Sequence, residues 1–468
     1  MMNIRDIIEE DLVKFNNKEY LFEKIDGKYE GIKFNEFIER SKKLASYLIN
    51  NNLKDKNVLL IGNNSINFMI SDMAITVYTG VCINLSKDIK EDDIYDIIKS
   101  LDVSCVIYTN EQEEKLSNIN SNVFKVNVDK LDFNKLEVID NYKKYNNEVC
   151  SKIFFSSGTT SKPKGVKLSL RNVFAGWDSL QRRTKFNIDD IIYLFLPMHH
   201  TYANIYNFYY SLLSGLSIYL SSGLSNVISE LREVNPTIFC GVPLIYEMIY
   251  KYVGDDLKNA FGNKIKFLYC GGAPLNEDVR DIYKKNNLEL LNAYALTETA
   301  SSFAISYPNN NDSLSVGSIF EDLDVKVINE ENGIGEIVCK GDAVFLGYTI
   351  DVKDVFTEDG YFRTGDIGYI KDNKLYLTGR CKKVLLGSNG ENIYVEEISS
   401  KLKELDNNIN YVNVSLNDNK IEVVLYLEDK NVTDVDKLIS KYNGLVQKKN
   451  IISMAIVSDK KNYQKLVS

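Results

Sequence analysis

Proline, histidine and tryptophan are scarce in this chain, whose 468 residues include 6 prolines, 2 histidines and 1 tryptophan. Long apolar runs are lacking as well. The most apolar stretch, residues 205–220, is interrupted by Asn207, Ser211 and Ser214, so the sequence predicts no membrane-spanning segment. The first ten residues already include Arg5, Asp6, Glu9 and Glu10, so they contain no apolar core of the kind a signal peptide has.

The cysteines and the charge balance exclude further classes. The 7 cysteines form no CxxC pair, a pattern that favours free thiols in a reducing compartment over disulfides or a zinc site. Acidic residues outnumber basic ones by 65 to 56, for a net charge of −9. An acidic chain is a poor candidate for neutralising phosphates along a nucleic acid. We therefore expect a cytoplasmic protein that binds no nucleic acid.

Short apolar runs alternate with helical patterns through most of the chain, which is typical of parallel sheets covered by helices. The predicted buried strands are 58–61, 81–84, 191–196, 217–220, 237–240, 266–270 and 288–291. From about residue 315 the pattern becomes turn-rich β, and residues 391–468 return to α/β alternation. The sequence thus predicts an α/β fold. Its large, multi-layer N-terminal domain (1–379) has two α/β subdomains and a β-rich subdomain, and a small mobile α+β domain (380–468) follows.

A loop rich in hydroxyl groups follows the apolar strand end at Phe154 and Phe155. Glycine lets backbone N–H groups approach a phosphate closely, hydroxyls donate hydrogen bonds, and lysine supplies compensating charge. The spacing is not that of a GxxxxGK[ST] loop. A polar surface turn would explain the serines and threonines but not the whole ordered set. The candidate polyphosphate ligands are Ser156, Ser157, Gly158, Thr159, Thr160 and Lys164.

This loop resembles the phosphate-binding signature of the acyl-adenylate-forming superfamily, which includes acyl- and aryl-CoA synthetases. Ser161 stands where that family usually has glycine. Two further motifs follow in the family's order. The sequence Gly271-Gly272-Ala273-Pro274 resembles the loop that lies along adenine, and residues 292–299 resemble the element with a tyrosine, a threonine and a glutamate.

The resemblance implies a role for individual residues of these motifs. Tyr294 would stack on adenine, Thr297 would contact phosphate and Glu298 would hold Mg²⁺, for which a carboxylate is a suitable hard ligand. Residues 361–366 resemble the ribose-binding element, so Asp366 would accept hydrogen bonds from the sugar hydroxyls. Arg380 would contact ribose or phosphate.

The end of the chain resembles the family's small domain. Lys382 occupies the hinge position of the family, and residues 388–398 resemble the loop that enters the site for thioester formation. The family's adenylation lysine lies near the C-terminus, and aligning the last Lys-Leu pair makes Lys465 the candidate. An ordinary terminal lysine is the alternative, and Lys460 or Lys461 are other candidates.

The predicted acid pocket is formed by His200, Tyr202, Gly241, Ala293 and Ala295. The resemblance places His200 beside the acyl pocket, near the substrate carboxylate, while His199 is undecided. Ala293 and Ala295 stand where fatty acyl-CoA synthetases usually have glycine. Their methyl groups fill space that a long chain or a flat ring would need. No acidic residue is present to bind a substrate amine, so a plain carboxylic acid, fatty or aryl, is favoured.

The resemblance as a whole implies an AMP-forming acid–thiol ligase that uses ATP and Mg²⁺. The predicted catalytic residues are Thr160, Lys164, His200, Glu298 and Lys465. The first choice for the acceptor thiol is CoA. One alternative acceptor is the phosphopantetheine arm of an acyl or aryl carrier protein, because both thiols end in the same arm. A second alternative is a non-catalytic binder of a nucleotide or acyl-adenylate.

Overall fold

The computed structural model of the chain describes residues 4–119, 123–140, 142–143, 146–155, 164–275, 277–308, 310–312, 314–331, 333–380, 384–386, 392–417, 420–429, 433–446 and 450–458. The strands are β1 (Glu19–Ile25), β2 (Lys28–Lys33), β3 (Asn57–Ile61), β4 (Val81–Leu85), β5 (Val103–Tyr108), β6 (Phe124–Asn127), β7 (Cys150–Phe155), β8 (Gly165–Ser169), β9 (Ile191–Leu194), β10 (Ser217–Leu220), β11 (Ile238–Gly241), β12 (Phe267–Gly271), β13 (Leu290–Tyr294), β14 (Ala304–Ile305), β15 (Gly317–Ile319), β16 (Leu323–Glu331), β17 (Ile334–Gly341), β18 (Phe362–Lys371), β19 (Lys374–Arg380), β20 (Val384–Leu386), β21 (Asn392–Tyr394), β22 (Ile409–Asn417), β23 (Lys420–Leu427) and β24 (Ile452–Ser458). The α-helices are α1 (Ile4–Glu9), α2 (Phe34–Asn50), α3 (Ile66–Met73), α4 (Glu91–Ser100), α5 (Glu113–Ser117), α6 (Leu170–Arg183), α7 (Tyr210–Ser214), α8 (Val227–Val234), α9 (Pro243–Val253), α10 (Leu257–Phe261), α11 (Glu277–Lys285), α12 (Val395–Leu405) and α13 (Val435–Leu445).

The first large sheet has six strands in the order β6-β5-β3-β4-β7-β8. Neighbouring strands are parallel except for the antiparallel pair β7–β8. The continuous apolar run in β3 is explained by burial of both faces, since Leu59 and Ile61 lie in one core and Val58 and Leu60 in another. Such two-sided burial is typical of parallel sheets.

The second large sheet has 13 strands in the order β16-β17-β18-β19-β15-β14-β13-β12-β11-β9-β10-β1-β2. Its run from β13 to β1 is parallel, and the pairs from β13 to β16 are antiparallel. The β-rich region therefore continues the sheet of the second α/β unit. Because β9, β11, β12 and β13 are parallel, their carboxyl ends share one edge, where open α/β sheets bind ligands.

Local caps explain where several helices begin. The Ser65 hydroxyl accepts a 3.1 Å hydrogen bond from the Phe68 N–H at the start of α3, and Ser169 and Asn172 form a capping box at the start of α6. Two stretches, Ala74–Thr79 and Tyr202–Tyr209, are π-helical, a conformation that is rare and frequent at functional sites. Within the described ranges, no helix is both long and apolar enough to cross a bilayer.

A buried ion pair joins elements of the two large sheets. The Asp72 carboxylate at the end of α3 accepts hydrogen bonds from Lys152 Nζ on β7 at 2.6 and 2.8 Å, and from Asn84 Nδ2 on β4 at 2.8 Å. It also accepts them from Asn204 Nδ2 at 2.7 Å and Tyr209 OH at 2.8 Å, both on the π-helix 202–209. Every oxygen of this buried charge is thus satisfied, as burial requires.

The C-terminal part has a core of its own. The sheet β22-β23-β24 is covered by α12 and α13, and the buried residues of this core all fall between Ile393 and Ile452. The predicted α/β fold class is confirmed, with a large multi-sheet part followed by this smaller one. The division at residues 379/380 stays a prediction, and the predicted hinge residue Lys382 lies outside the described residues.

Candidate active site

Asp366 is the most highly constrained carboxylate of the predicted site. It lies on β18 opposite Arg380 on β19, in the register that pairs these two residues. Arg380 Nε donates a hydrogen bond to Asp366 Oδ1, and the Tyr294 hydroxyl donates one to Oδ2. Asp366 is 3% exposed, so a buried charge is held in place by two charge-assisted bonds. Three residues from separate predicted motifs are thereby brought together.

Tyr294 occupies the end of β13, at the shared carboxyl edge of the parallel strands. Its ring packs edge-on against Phe303, with the centroids 5.0 Å apart. Burial, and then the Asp366 carboxylate, raise the pKa of Tyr294 well above its usual value. The phenol therefore stays protonated and acts as a donor at neutral pH.

Glu298 lies in the short turn 297–299 that follows β13, and Thr297 begins this turn. Its Oε1 accepts a 2.7 Å hydrogen bond from the Tyr348 hydroxyl. Burial raises the pKa of Glu298, and the hydrogen bond from Tyr348 opposes that rise. Sequence reasoning missed Tyr348, which has no neighbouring motif to indicate a contact with a residue 50 positions away.

The segment 345–349 connects Glu298 to the base of the predicted phosphate loop. At one end, Phe345 N–H donates to the Glu298 carbonyl at 2.8 Å. At the other, the Thr349 N–H donates to the Gly165 carbonyl at 2.8 Å, and the Gly165 N–H donates to Thr349 Oγ1 at 2.9 Å. The carboxylate is therefore held at a fixed position relative to Gly165, which directly follows Lys164.

The predicted adenine loop begins where β12 ends. Gly271 is paired with Ala293 on β13, and a Cβ added at Gly271 would lie 2.7 Å from the Ala293 carbonyl oxygen. Gly272 has φ +79°, in the left-handed region that favours glycine. Ala273 and Pro274 continue the loop. Both glycines are thus required by the close approach of β12 and β13 and by the turn that follows.

The residues of the predicted acid pocket lie at the same edge of the sheet. The Tyr202 ring is next to Gly271, since an added Cβ there would be 3.5 Å from Tyr202 Cε1. Gly241 ends β11, and Ala293 and Ala295 lie at and just beyond the end of β13. A Cβ at Gly241 would lie 2.6 Å from Ile245 Cγ2, so this position also has no room for a side chain.

The two histidines precede the π-helix 202–209. Their ring centroids are 4.2 Å apart; His200 is exposed and His199 is partly buried. Burial, and then the neighbouring His200, lower the pKa of His199 well below its usual value. His199 is therefore expected to be neutral at pH 7, and the predicted role of His200 stays a prediction.

Several predicted residues lie outside the described residues. They are Ser156, Ser157, Gly158, Thr159, Thr160, Lys382 and Lys465. Lys164, the last member of the predicted phosphate loop, is described and is partly buried just before β8. The structure therefore describes the carboxylates that are predicted to bind the nucleotide and the residues that are predicted to line the acid pocket.

Comparison with known sequences decides the family. The profile of the family described as "AMP-binding enzyme" matches residues 8–349, which is well over half of the chain. The chain belongs to the AMP-binding enzyme family. A long-chain-fatty-acid–CoA ligase of Rattus norvegicus, ACSBG2, is 23% identical over 493 aligned residues, which cover 86% of this chain and 73% of that protein.

Solved structures show the same fold as this AMP-binding enzyme. The o-succinylbenzoate CoA synthetase MenE of Bacillus subtilis, bound with the product analogue OSB-NCoA, matches with a TM-score of 0.81 and 18% identity. The match covers 97% of this chain and 95% of that one. ATP-bound MatB of Rhodopseudomonas palustris matches with a TM-score of 0.73 and 19% identity, covering 100% of this chain and 99% of that one. At these identities the likeness establishes the fold.

The described metal-ligating side chains at the predicted site of this AMP-binding enzyme are few, which suits a cation that would also be coordinated by substrate phosphates. Among the described residues, no three His, Cys, Asp or Glu side chains form a metal cluster. Glu298 nevertheless supplies a hard, partly buried carboxylate, and among the described residues its side-chain hydrogen-bond donor is the neutral Tyr348 hydroxyl. Mg²⁺ is usually bound by one or two carboxylates together with substrate phosphates. The chemistry of the Glu298 carboxylate therefore fits a Mg²⁺ ion that substrate phosphates would also coordinate.

Proposed function

We propose that this AMP-binding enzyme activates a carboxylic acid with ATP and transfers the acyl group to the thiol of CoA. In the first step the carboxylate attacks the α-phosphorus of ATP, giving an acyl-adenylate and pyrophosphate. In the second step the thiol attacks the acyl carbon, its proton is lost to solvent, and AMP leaves. The observation that carries this proposal is the arrangement of Tyr294, Asp366 and Arg380 beside Glu298, in a chain of this family.

The Asp366 carboxylate is suited to bind ribose. Among the described residues, each of its oxygens accepts one side-chain hydrogen bond, and a carboxylate oxygen has two lone pairs, so it can accept from a second donor. Neighbouring sugar hydroxyls can supply two such donors. Tyr294 and Arg380 would hold the carboxylate at a fixed orientation, and the Tyr294 ring would pack against the base.

Glu298 would hold Mg²⁺ on the phosphates of ATP. When bound, the cation neutralises charge on the phosphates and makes pyrophosphate a better leaving group. Thr160 and Lys164 would contact the phosphates, and Lys465 would donate to the substrate carboxylate and α-phosphate as charge develops there. The hydrogen bonds between segment 345–349 and Gly165 support a fixed position of Glu298 relative to this loop.

The relatives support an acid–thiol ligase as the reaction class. The rat protein is named a long-chain-fatty-acid–CoA ligase, which favours a fatty acid as the substrate class. Residues 380–468 would act as the mobile small domain that turns about Lys382 between the two steps. Lid motions of this kind often limit turnover. His200 would border the acid pocket near its carboxylate.

The test is pyrophosphate release with Mg²⁺ and ATP across a panel of fatty and aryl acids, followed by detection of the thioester. We expect release to depend on one class of acid and a thioester to form with CoA. A thioester that forms on a phosphopantetheinylated carrier protein, but not with CoA, would show that the carrier protein is the acceptor. Nucleotide binding without acid-dependent release from any acid would overturn the proposed ligase in favour of a silent binder.

Two variants control the assay. Glu298→Gln keeps the shape of the side chain and removes its charge, so acid-dependent release should fall by about a hundredfold or more. Tyr376→Phe removes a different tyrosine–carboxylate hydrogen bond, 2.8 Å to Asp312 Oδ2, and should leave the rate unchanged. Acid-independent release that persists in Glu298→Gln would come from a contaminating ATPase, whereas acid-dependent release at the wild-type rate would contradict the role of Glu298.

A further inference from the structure

The part of the chain that carries both histidines leaves the second large sheet at its carboxyl edge. β9 ends at Leu194, and residues 195–201, the histidine segment, run from there to the π-helix 202–209. At the start of that helix the Tyr202 ring lies next to Gly271, since a Cβ added there would be 3.5 Å from Tyr202 Cε1. The histidine segment therefore leads directly to the predicted acid pocket.

The Asn64 side chain holds this segment from the first α/β unit. Its Nδ2 donates a hydrogen bond to the Leu196 carbonyl at 2.8 Å, and its Oδ1 accepts one from the Met198 N–H at 3.0 Å. The amide thus binds the backbone on both sides of Pro197. The Pro197 carbonyl in turn accepts a 3.0 Å hydrogen bond from the His200 N–H. The position of His200 therefore depends on the two bonds that Asn64 makes.

Asn64 lies on a loop that is itself anchored on both sides. The loop connects β3 to α3. Just before Asn64, the Asn63 N–H donates a 3.2 Å hydrogen bond to Thr109 Oγ1. Just after it, the Ile66 N–H at the start of α3 donates a 2.9 Å hydrogen bond to Glu23 Oε2. A side chain on a loop held in this way can fix the position of the segment that it contacts.

A second contact holds the chain on the other side of the histidines. The Asp72 carboxylate on α3 accepts hydrogen bonds from Asn204 Nδ2 at 2.7 Å and from Tyr209 OH at 2.8 Å. The Asn204 N–H donates to the His200 carbonyl at 2.9 Å. His200 thus lies between two points of attachment to the first unit, Asn64 before it and Asp72 after it. Asn64 is the attachment nearer to the histidines in its direct contacts.

We propose that Asn64 is a positioning residue for the use of the acid substrate. It acts through its backbone bonds to Leu196 and Met198, which keep His200 and Tyr202 in place at the acid pocket, and it does not touch the substrate itself. This inference rests on the proposed function, because the acid pocket belongs to that function. Loss of the Asn64 bonds should impair the use of the acid and spare the use of ATP, whose predicted ligands lie on other segments.

Asn64→Asp is the most informative variant. It keeps the size of the side chain and the acceptor for the Met198 N–H, but it places an oxygen where the donor to the Leu196 carbonyl was. The assay is pyrophosphate release with the acid that gives the highest rate in the panel above. We expect kcat/KM for the acid to fall by about tenfold, the effect of one lost hydrogen bond, and KM for ATP to stay unchanged. Asn64→Ala removes both bonds and should have the larger effect.

Asn67→Ala is the matched control. Asn67 is also a partly buried asparagine, and its Nδ2 donates a 3.0 Å hydrogen bond to Asp129 Oδ1, away from the histidine segment. This variant should change neither kinetic constant.

A second measurement needs no substrate. Because the chain has 2 histidines, labelling histidine with ¹³C gives one imidazole signal for each by NMR, and a His199→Asn variant assigns them. Asn64→Asp should shift or broaden the His200 signal, whereas Asn67→Ala should leave it in place.

The outcomes separate this inference from the proposed function. An unchanged kcat/KM for the acid in Asn64→Asp, or an equal loss for the acid and for ATP, would overturn the inference and leave the ligase activity standing. A loss of activity with an unmoved His200 signal would overturn it as well, since Asn64 would then act by another route. No acid-dependent release from the wild type would overturn the proposed function itself.

Discussion

Replacing Tyr348 with phenylalanine tests the nucleotide side of the site, because this substitution removes one oxygen atom. The Tyr348 hydroxyl donates to Glu298 Oε1 at 2.7 Å and opposes the rise in the Glu298 pKa that burial causes. A hydrogen bond to a charged group contributes about 1.5–3 kcal/mol. Glu298 is only partly buried and water can replace part of the bond, so we take the lower value.

That value sets the expected shift. About 1.4 kcal/mol corresponds to one pKa unit, so Tyr348→Phe should raise the Glu298 pKa further by about one unit. If Glu298 holds the cation as proposed, its carboxylate must be ionised, so activity is present above this pKa and is lost as the pH falls through it. The acid limb of the profile of kcat/KM for ATP should therefore move to higher pH by about one unit.

The assay is acid-dependent pyrophosphate release between pH 5 and pH 9, at several Mg²⁺ concentrations. On the acid limb the variant should be about tenfold slower and need more Mg²⁺ for half its maximal rate. At high pH and saturating Mg²⁺ it should approach the wild type. Tyr376→Phe is the matched control. An acid limb and a Mg²⁺ requirement that do not move in Tyr348→Phe would refute the assignment of Glu298 to the cation.

Two further predictions concern packing around the site. Asp72→Asn should lower the free energy of unfolding by about 3–5 kcal/mol, because it leaves the buried Lys152 ammonium without its counter-charge. The double variant with Lys152→Met should recover part of this loss in urea unfolding, and a further loss would contradict the ion-pair account. Gly271→Ala should raise KM for ATP and lower stability by about 1–3 kcal/mol, since its Cβ would lie 2.7 Å from the Ala293 carbonyl oxygen. Gly444→Ala, where nothing lies within 4 Å of an added Cβ, should leave KM for ATP unchanged and should not lower stability, since alanine is the better helix former in α13.

Strands with short, continuous apolar sequences could be predicted from local pattern. The predicted strand 81–84 lies within β4, which runs to Leu85, and 217–220 coincides with β10. Predicted strand 191–196 ends earlier, at Leu194, because the Leu196 carbonyl and the Met198 N–H are hydrogen-bonded to the Asn64 side chain. Long-range contacts of this kind set strand ends, and local sequence does not record them.

The site residues that belong to family motifs could be predicted from the sequence. The residues that contact them in the structure could not. Tyr294 and Asp366 come from separate motifs 72 residues apart and meet in the structure. Tyr348 and Asn64 lie outside these motifs. Their contacts join elements distant in sequence, and a single sequence shows them only as isolated polar residues.

The most direct test of the central claim is exchange of labelled pyrophosphate into ATP without any thiol. Exchange requires reversible formation of an acyl-adenylate, so it reports the first step alone. The account predicts exchange that depends on an acid and Mg²⁺ and falls by about a hundredfold in Glu298→Gln. Exchange that needs no acid, or that is unchanged in Glu298→Gln, would contradict it.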